Sequence, residues 1–573
     1  MPRWMGAMAV VMGVWLGGAG CAVEGDGNGV PEKDGPMDRA MVAGKADQIM
    51  DRCKEEMILL WVNDPRTTAD ELHGKGVHRR AAEEIAASGP VKSLEALDEI
   101  YFVGPAAFTQ LQDAVRGRCR EEREVEVEFA PSREAGHISR AVELIEDAER
   151  SVDLAIYRMS DRRVINALKA AARRGIEVRC LFDEANGDHL RLQGSTSEEL
   201  VEAGVEVRYI NRNMHHKVLL IDGVQQRLLE ASETTVMVGS ANLSYFEERR
   251  YDNHTVVHRR DVAPALALQH EFEHLWAHSR SVLGGVDGAP VSTELEWPEA
   301  LEPRGLEVWR TSANFEVTHS SRWGYGFRQL EDSQVVARRL VALIESAETE
   351  IDVAARYLRS RPILEALMDR AREDGGPKIR VYSDQAEFVS AMDQQGEDAR
   401  LEDCLLAAAT EVEKRHCRDV GRRFSRQIGE AGAALRFKVY GYRWAIARAR
   451  QMHHKYMVID GRWLAMGSYN LSHNSERNSM ESVLIYDRLY YPTLVEAFED
   501  NFEEIWRRGR GDVEAWLERV GEEDEIALWF EPRSLEMDEF QGYRDKVEKR
   551  CPVVHSEGFR ERPHRFDTCE AEE

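Results

Sequence analysis

Apolar and polar positions follow two rhythms along most of the chain, and the rhythms come in the same order twice. Leu144–Asp153 (LIEDAERSVD) closes a helix-period stretch and runs into a strand pattern. Leu343–Asp352 (LIESAETEID) does the same, and seven of the ten paired positions are identical or a Val/Ile exchange. Apolar residues spaced by three and four then predict helices in VINALKAAARRG and ILEALMDRAREDG. Short apolar runs predict strands in IEVRCLFD and IRVYSD. Strand, helix and strand in succession imply parallel pairing. The copies match again at Glu202-Ala-Gly204 and Glu430-Ala-Gly432, and at Phe272–Trp276 and Phe502–Trp506. The expected fold is therefore α/β: two pseudo-symmetric lobes over 125–280 and 306–510, each a mixed sheet flanked by helices. A Gly/Pro-containing linker, 281–305, joins them, and the second copy carries a charged helical insertion near 387–428.

The flanks read differently. Residues 46–120 predict a small all-α domain of short amphipathic helices. Its turns, Leu72-His-Gly-Lys-Gly-Val77 and Tyr101-Phe-Val-Gly-Pro105, resemble a pair of helix-hairpin-helix units. That resemblance implies backbone N–H groups able to grip a nucleic-acid phosphate. The acidic stretches Glu83–Glu84 and Glu95–Glu99 favour a spacer or protein-interaction role instead. Residues 1–20 set Arg3 before an apolar run and small residues, the order of a secretory signal. Leu16-Gly-Gly-Ala-Gly-Cys21 resembles a bacterial lipoprotein signal, which implies lipidation of Cys21 and a lipid-anchored place in the cell envelope. Gly18 departs from that pattern, and plain secretion is the alternative. Residues 21–45, rich in Gly, Asp and Glu, read as a flexible tether. The tail, 511–573, is expected to wrap the second lobe without chemistry of its own.

Composition narrows the possibilities. A chain of 573 residues has room for about three domains. With 76 Lys+Arg against 103 Asp+Glu the net charge is −27, which disfavours non-specific binding to nucleic acid. Any polyanion must meet a local basic pocket. Mean hydropathy is −0.49, and beyond the N-terminus no apolar run is long enough for a multi-pass membrane protein. Of the eight cysteines, Cys53 and Cys119, Cys404 and Cys417, and Cys551 and Cys569 each bracket a segment. In an oxidising compartment they are three natural pairs, although spacing does not fix connectivity; the alternative is that all are reduced. Cys180 lies in an apolar run and reads as a buried small hydrophobe.

The candidate chemistry repeats with the fold. Met214-His215-His216-Lys217, then Asp222, pairs with Met452-His453-His454-Lys455, then Asp460; both read H-x-K-x4-D. Each is followed by Gly-Ser-x-Asn, at Gly239-Ser240-Ala-Asn242 and Gly467-Ser468-Tyr-Asn470. Alternate residues of a strand share a face, so His and Lys two apart project into one pocket, and His216 and His454 point away from it. Two imidazoles, two ammoniums, hydroxyls and amides around one centre suit a phosphoryl group. One imidazole can attack phosphorus and the other can protonate the leaving oxygen, with no metal or cofactor required. The two His lack the Cys or carboxylate companions of a zinc site. Arg443, Arg448 and Arg450, just before the second motif, are candidates to meet a substrate phosphate.

The paired H-x-K-x4-D motifs with trailing G-S-x-N resemble the phospholipase D superfamily over residues 125–510. The resemblance implies a site between the lobes and a covalent phosphohistidine resolved by water or an alcohol. Carried onto this sequence, it makes His215 and His453 nucleophile and general acid, with His215 favoured as nucleophile. It places Lys217, Lys455, Asn242 and Asn470 on phosphate oxygens, with Ser240 and Ser468 supporting them. Asp222 and Asp460 complete the catalytic motif in an orienting, structural part. Glu481 is expected to hold the opposite imidazole, and Asn253 aligns with it in the first copy. The expected substrate is phospholipid at a membrane surface, hydrolysed or transferred to an alcohol. A metal-independent exported nuclease acting on nucleic acid, and a non-catalytic phosphate-binding envelope protein, are the alternatives. One chain supplies both motifs, so the sequence sets no oligomeric state.

Overall fold

In a computed structural model of the chain, the described residues are 39–42, 48–119, 124–131, 136–183, 191–284, 305–322, 324–442, 445, 448–523, 525–551 and 567–570. All belong to one body, Arg39–Glu573. The signal, Cys21 with its expected lipidation, Arg443 and most of the 281–305 linker lie outside the described residues.

The first lobe supplies β1 (Glu124–Ala130), β2 (Ser151–Ile156), β3 (Glu177–Phe182), β4 (Glu206–Tyr209), β5 (Lys217–Ile221), β6 (Thr235–Gly239), β7 (Asn253–Arg259) and β8 (Arg280–Ser281). They form one sheet in the order β8-β4-β3-β2-β5-β6-β7-β1. The second lobe opens with β9 (Leu306–Arg310) and a separate hairpin, β10 (Phe315–Ser320) with β11 (Gly324–Gln329). It continues with β12 (Glu350–Ala355), β13 (Lys378–Asp384), β14 (Ala434–Gly441), β15 (Lys455–Ile459), β16 (Trp463–Gly467), β17 (Ser482–Asp487) and β18 (Trp529–Glu536). Its sheet runs β9-β17-β16-β15-β12-β13-β14-β18, the same layout strand for strand. The parallel pairs β2–β3 and β12–β13 flank the predicted helices, found at Arg162–Arg173 and Arg361–Arg372. Both strands carrying the motifs, β5 and β15, are buried throughout, so only a central, covered position accommodates runs such as Val218–Ile221.

The repeated sequence has a structural cause in both lobes. Asp153 takes both ends of the Arg179 guanidinium at 2.7 Å, and Glu273 binds it from the helix Val262–Ala277. Asp352, Arg380 and Glu503 repeat the triad. Each guanidinium lies over the Phe and Trp of the Phe-Glu-x-x-Trp segment, Phe272 and Trp276 or Phe502 and Trp506. A buried charge needs partners on all sides, which ties these positions together.

Two expectations on the flanks change. The second lobe does not end at 510: its outer strand, β18, comes from the tail and pairs antiparallel with β14. The alternation in that strand is broken by Pro532, which hid it in the sequence. The tether is not featureless to residue 45, because Arg39–Val42 pairs with Gln48–Asp51. Short apolar steps, Met41-Val42 and Ile49-Met50, sit inside an otherwise polar composition there.

The N-terminal helices lie at Arg52–Asn63, Ala69–Gly74, Arg79–Ala87, Leu94–Asp98 and Pro105–Val115. Cys53–Cys119 closes this region, and Arg227 of the first lobe ties to it through Asp64 at 2.9 Å and Glu71 at 3.2 Å. Cys404–Cys417 pins the insertion helices Ala391–Ala407 and Glu411–Asp419, Cys551–Cys569 pins the tail, and Cys180 is free and buried. Among the described residues no helix is long and apolar enough to cross a membrane.

Candidate functional site

The two H-x-K segments enter their strands in the same way. Asp183, after β3, accepts the Met214 N–H at 2.7 Å, and Asp384, at the end of β13, accepts the Met452 N–H at 2.9 Å. Each segment then crosses to the other lobe: the His215 N–H donates to Met480 O at 3.1 Å, and the His453 N–H to Asp252 O at 2.9 Å. The imidazoles are thereby held at the seam between the two sheets.

Each ring is pinned through Nδ1 by a residue of the opposite copy. His215 Nδ1 lies 2.8 Å from Glu481 Oε2, and His453 Nδ1 lies 2.8 Å from Asn253 Oδ1. The Asn253 amide nitrogen donates to Glu247 O, which fixes Oδ1 toward the ring. Carboxylate and amide oxygens only accept, so Nδ1 carries the proton in both rings and Nε2 keeps its lone pair for the pocket. Burial, reinforced by Lys217 and Lys455, lowers the proton affinity of His215 well below the ordinary range. Burial does the same to His453, reinforced by Lys455 and Arg356.

Lys217 and Lys455 each donate to the carbonyl of their own motif histidine at 2.7 Å, which leaves two N–H bonds per ammonium. Burial brings Lys217 down to about 8. Lys455 is lowered well below the usual lysine range by burial and then by Lys217 and Arg356. A cluster that disfavours its own charge is relieved by an anion placed among its members.

The serines stand behind the orienting groups, and the aspartates stand at the strand ends. Ser240 and Ser468 are wholly buried behind the orienting groups, not on the phosphate side. Ser468 Oγ donates to Glu481 Oε2 at 2.7 Å, and Ser240 Oγ accepts the His254 N–H at 3.0 Å. The glycines before them explain the close turn: a Cβ on Gly239 would lie 2.3 Å from His254 O, and one on Gly467 2.2 Å from Ser482 O. Asp222 and Asp460 sit at the far ends of β5 and β15, five residues beyond the lysines. Asp222 caps the N–H groups of Glu149, Arg150 and Ser151, and Asp460 those of Glu348, Thr349 and Glu350. A strand advances about 3.3 Å per residue, so neither carboxylate reaches the imidazoles. Both take a left-handed backbone, φ 53° and 54°, which Asp tolerates.

Asn242 and Asn470 are buried at the site, and Asn242 Nδ2 donates to Glu247 Oε1 at 2.6 Å. Sequence reasoning missed Glu247. Counted from the G-S-x-N turns, Glu247 aligns with Ser475, just as Asn253 aligns with Glu481. The Glu247 carboxylate lies 3.5 Å from His453 Nδ1. Each imidazole therefore has one carboxylate near Nδ1, supplied from different positions of the repeat. Arg356 and Tyr157 were missed as well. They are equivalent residues, since their N–H groups donate to His454 O and His216 O, each at 3.2 Å. Tyr157 lies against the His215 ring at 4.9 Å and under Lys217 Nζ at 5.4 Å. His216 and His454 turn away into the seam, toward Glu271 at 3.2 Å and against His254.

Two lobes sharing one centre, with a histidine and a lysine from each, define a bilobal class of α/β protein. The chain belongs to the phospholipase D-like family: the model described as "Cardiolipin synthase, PLD-like domain" matches residues 141–276 and 340–506, over half of the chain. The mitochondrial cardiolipin hydrolase of Xenopus laevis is 30% identical over 140 residues, which is 24% of this chain and 60% of that one. A phospholipase D of Rickettsia prowazekii (strain Madrid E) is 32% identical over 118 residues, 20% of this chain and 51% of that one. The chain thus spans no more than about three-fifths of the length of these relatives. Among solved structures, phosphatidylserine synthase of Haemophilus influenzae Rd KW20 is similar over 66% of this chain and 85% of its own, at 12% identity and a TM-score of 0.43.

Proposed function

We propose that the protein is a phospholipase D-type phosphodiesterase that hydrolyses phospholipid or transfers its phosphatidyl group to an alcohol. The observation that carries this reading is the pair of imidazoles with Nδ1 pinned and Nε2 open, beside two lysines whose charge an anion would restore. His215 is the nucleophile. Attack by Nε2 on phosphorus makes a cationic phosphoimidazolium, and the Glu481 carboxylate at Nδ1 stabilises that charge. The acid is the imidazolium form of His453, which takes up a second proton at Nε2 as the anionic substrate enters; the bond to the leaving oxygen breaks as that oxygen takes this Nε2 proton. His453, whose direct partner is the neutral Asn253, is the weaker base and so the stronger acid when protonated. Water or an alcohol then attacks phosphorus, loses its proton to His453 and releases His215. Lys217, Lys455, Asn242 and Asn470 hold the equatorial oxygens.

Export and anchoring through Cys21 belong to the same reading, supported by three paired disulfides suited to an oxidising compartment. A nuclease is the second reading, favoured by the glycine turns of the N-terminal helices at Gly74–Gly76 and Gly104. The test uses the chain from Ala22, with His215→Ala and His453→Ala, in EDTA, on phospholipid vesicles with and without glycerol and on plasmid DNA. Head-group release lost in both variants is expected, with a new lipid formed when glycerol is present. DNA nicking without lipid turnover would favour the nuclease. Phosphate binding without turnover of either would leave a binding protein.

A further inference from the structure

A cavity of about 1050 Å³ adjoins Asp252, the residue that holds the His453 N–H. Its floor is Asp252, whose carbonyl holds the His453 N–H and whose carboxylate pairs with Lys438 at 2.9 Å and Arg508 at 2.7 Å. Lys438 is 1% exposed. Arg249 and Arg250 line one side, and Arg448 and Arg450 the loop side. With Glu504 and Glu531 the lining holds six cations against three carboxylates, in a chain of net charge −27.

The internal repeat supplies the control. Lys438 is equivalent to Ile210 by strand register, Asp252 to Met480 by its bond to the motif histidine, and Arg508 to His278 by its distance from the repeat tryptophan. The same fold thus packs this place without a charged cluster. Against the first lobe the second lobe's hairpin β10–β11 fills the equivalent space: Phe327 exchanges hydrogen bonds with Asn211 and packs near His278, and Tyr325 lies 5.3 Å from the same ring. The hairpin occupies the connection from β9 to the helix at Val335; the matching connection after β1, 131–136, is too short to hold one. Burying Lys, Asp and Arg where apolar residues serve is costly. Arg448 pairs with Asp567, Arg450 with Glu531, and Lys438 and Arg508 with Asp252, so with Asp567 counted the cations around this open space still outnumber the carboxylates, six to four.

We propose that this cavity is a second anion site, distinct from the His215/His453 centre, which holds the phosphate of a phospholipid headgroup beside the lipid being cleaved. Tyr245, 47% exposed and stacked under Arg249, sets an aromatic ring in its lining, and the neighbouring Phe246, 51% exposed, lies under Arg250, as suits a headgroup-level surface. The assignment to lipid rests on the proposed activity; the anion site itself does not.

The test uses the full chain, the Arg249→Gln/Arg250→Gln variant, and Asp252→Met/Lys438→Ile, which copies the repeat-equivalent residues Met480 and Ile210. Inorganic phosphate, titrated calorimetrically, is expected to fill one site more in the wild type than in either variant. On phosphatidylglycerol vesicles the KM of the arginine variant should rise about tenfold. Its hydrolysis of bis(p-nitrophenyl) phosphate, which reports the histidine centre alone, should be unchanged. Equal phosphate stoichiometry in all three proteins would overturn the site. An extra phosphate in the wild type without vesicle turnover would uphold the anion site while the lipid reading fails. Displacement of that phosphate by a single-stranded oligonucleotide but not by vesicles would overturn the lipid assignment.

Discussion

Glu247 and Glu481 stand at different places in their copies, yet each brings a carboxylate to an imidazole. In the proposed mechanism the difference in distance, 3.5 Å against 2.8 Å, is what gives the two histidines different roles. With bis(p-nitrophenyl) phosphate the leaving group needs no proton, so His453→Ala should still release a stoichiometric burst of p-nitrophenolate and trap the remaining p-nitrophenyl phosphoryl group on His215. His215→Ala should give no burst; rapid-quench kinetics with detection of phosphohistidine checks both. The pH dependence has a predicted sign. Burial raises Glu481 to about 7, with Lys217 opposing. Its ionised form orients His215, so kcat should rise as pH passes upward through about 7, and Glu481→Gln should flatten that limb. Lys217, near 8, loses its proton above that pH, so KM should climb on the alkaline side while Lys217→Arg holds it level. A pH profile of kcat and KM separates the two effects.

Among the elements, the strand–turn units carrying the motifs were the most legible. H-x-K-x4-D and G-S-x-N repeat, and alternation along a strand fixes which side chains share a face. Asp183 and Asp384 close the paired runs IEVRCLFD and IRVYSD, a signal present in the sequence but readable only once their hydrogen bonds to Met214 and Met452 are seen. Glu247 was not legible, because its partner in the repeat is Ser475 and like-for-like matching passes over it. The inward turn of Ser240 and Ser468 was hidden too, since period alone does not say how a glycine turn rotates. Asp222 and Asp460 belong to the element rather than to the chemistry. Asp222→Ala removes the acceptor for three N–H groups and should cost about 2 kcal/mol in urea denaturation. Activity per folded molecule should be retained, whereas loss of activity at full stability would return Asp222 to the reacting set.

At the scale of the molecule, a twofold repeat of sheets is departed from where specificity can enter: the insertion, the hairpin β10–β11 and the cation-lined cavity. The N-terminal helices are joined to the first lobe through Arg227 and closed on themselves by Cys53–Cys119, 66 residues apart. A loop of that length corresponds to about 4 kcal/mol, so Cys53→Ser/Cys119→Ser should lower the first thermal transition by several degrees. Turnover at the histidine centre should persist at low temperature; scanning calorimetry paired with an activity assay reads both.

The strand β18 makes the segment after residue 510 a structural closure. Synthesis delivers the polypeptide from its N-terminus, so the first sheet is complete when Ser281 emerges, while the second waits for Glu536. Until then Ala434–Gly441 presents a bare row of backbone donors and acceptors. A version of the protein cut at 510 would keep that row permanently, and unpaired rows of this kind recruit other chains into aggregates. The C-terminal segment thus acts as the molecule's own guard against polymerisation.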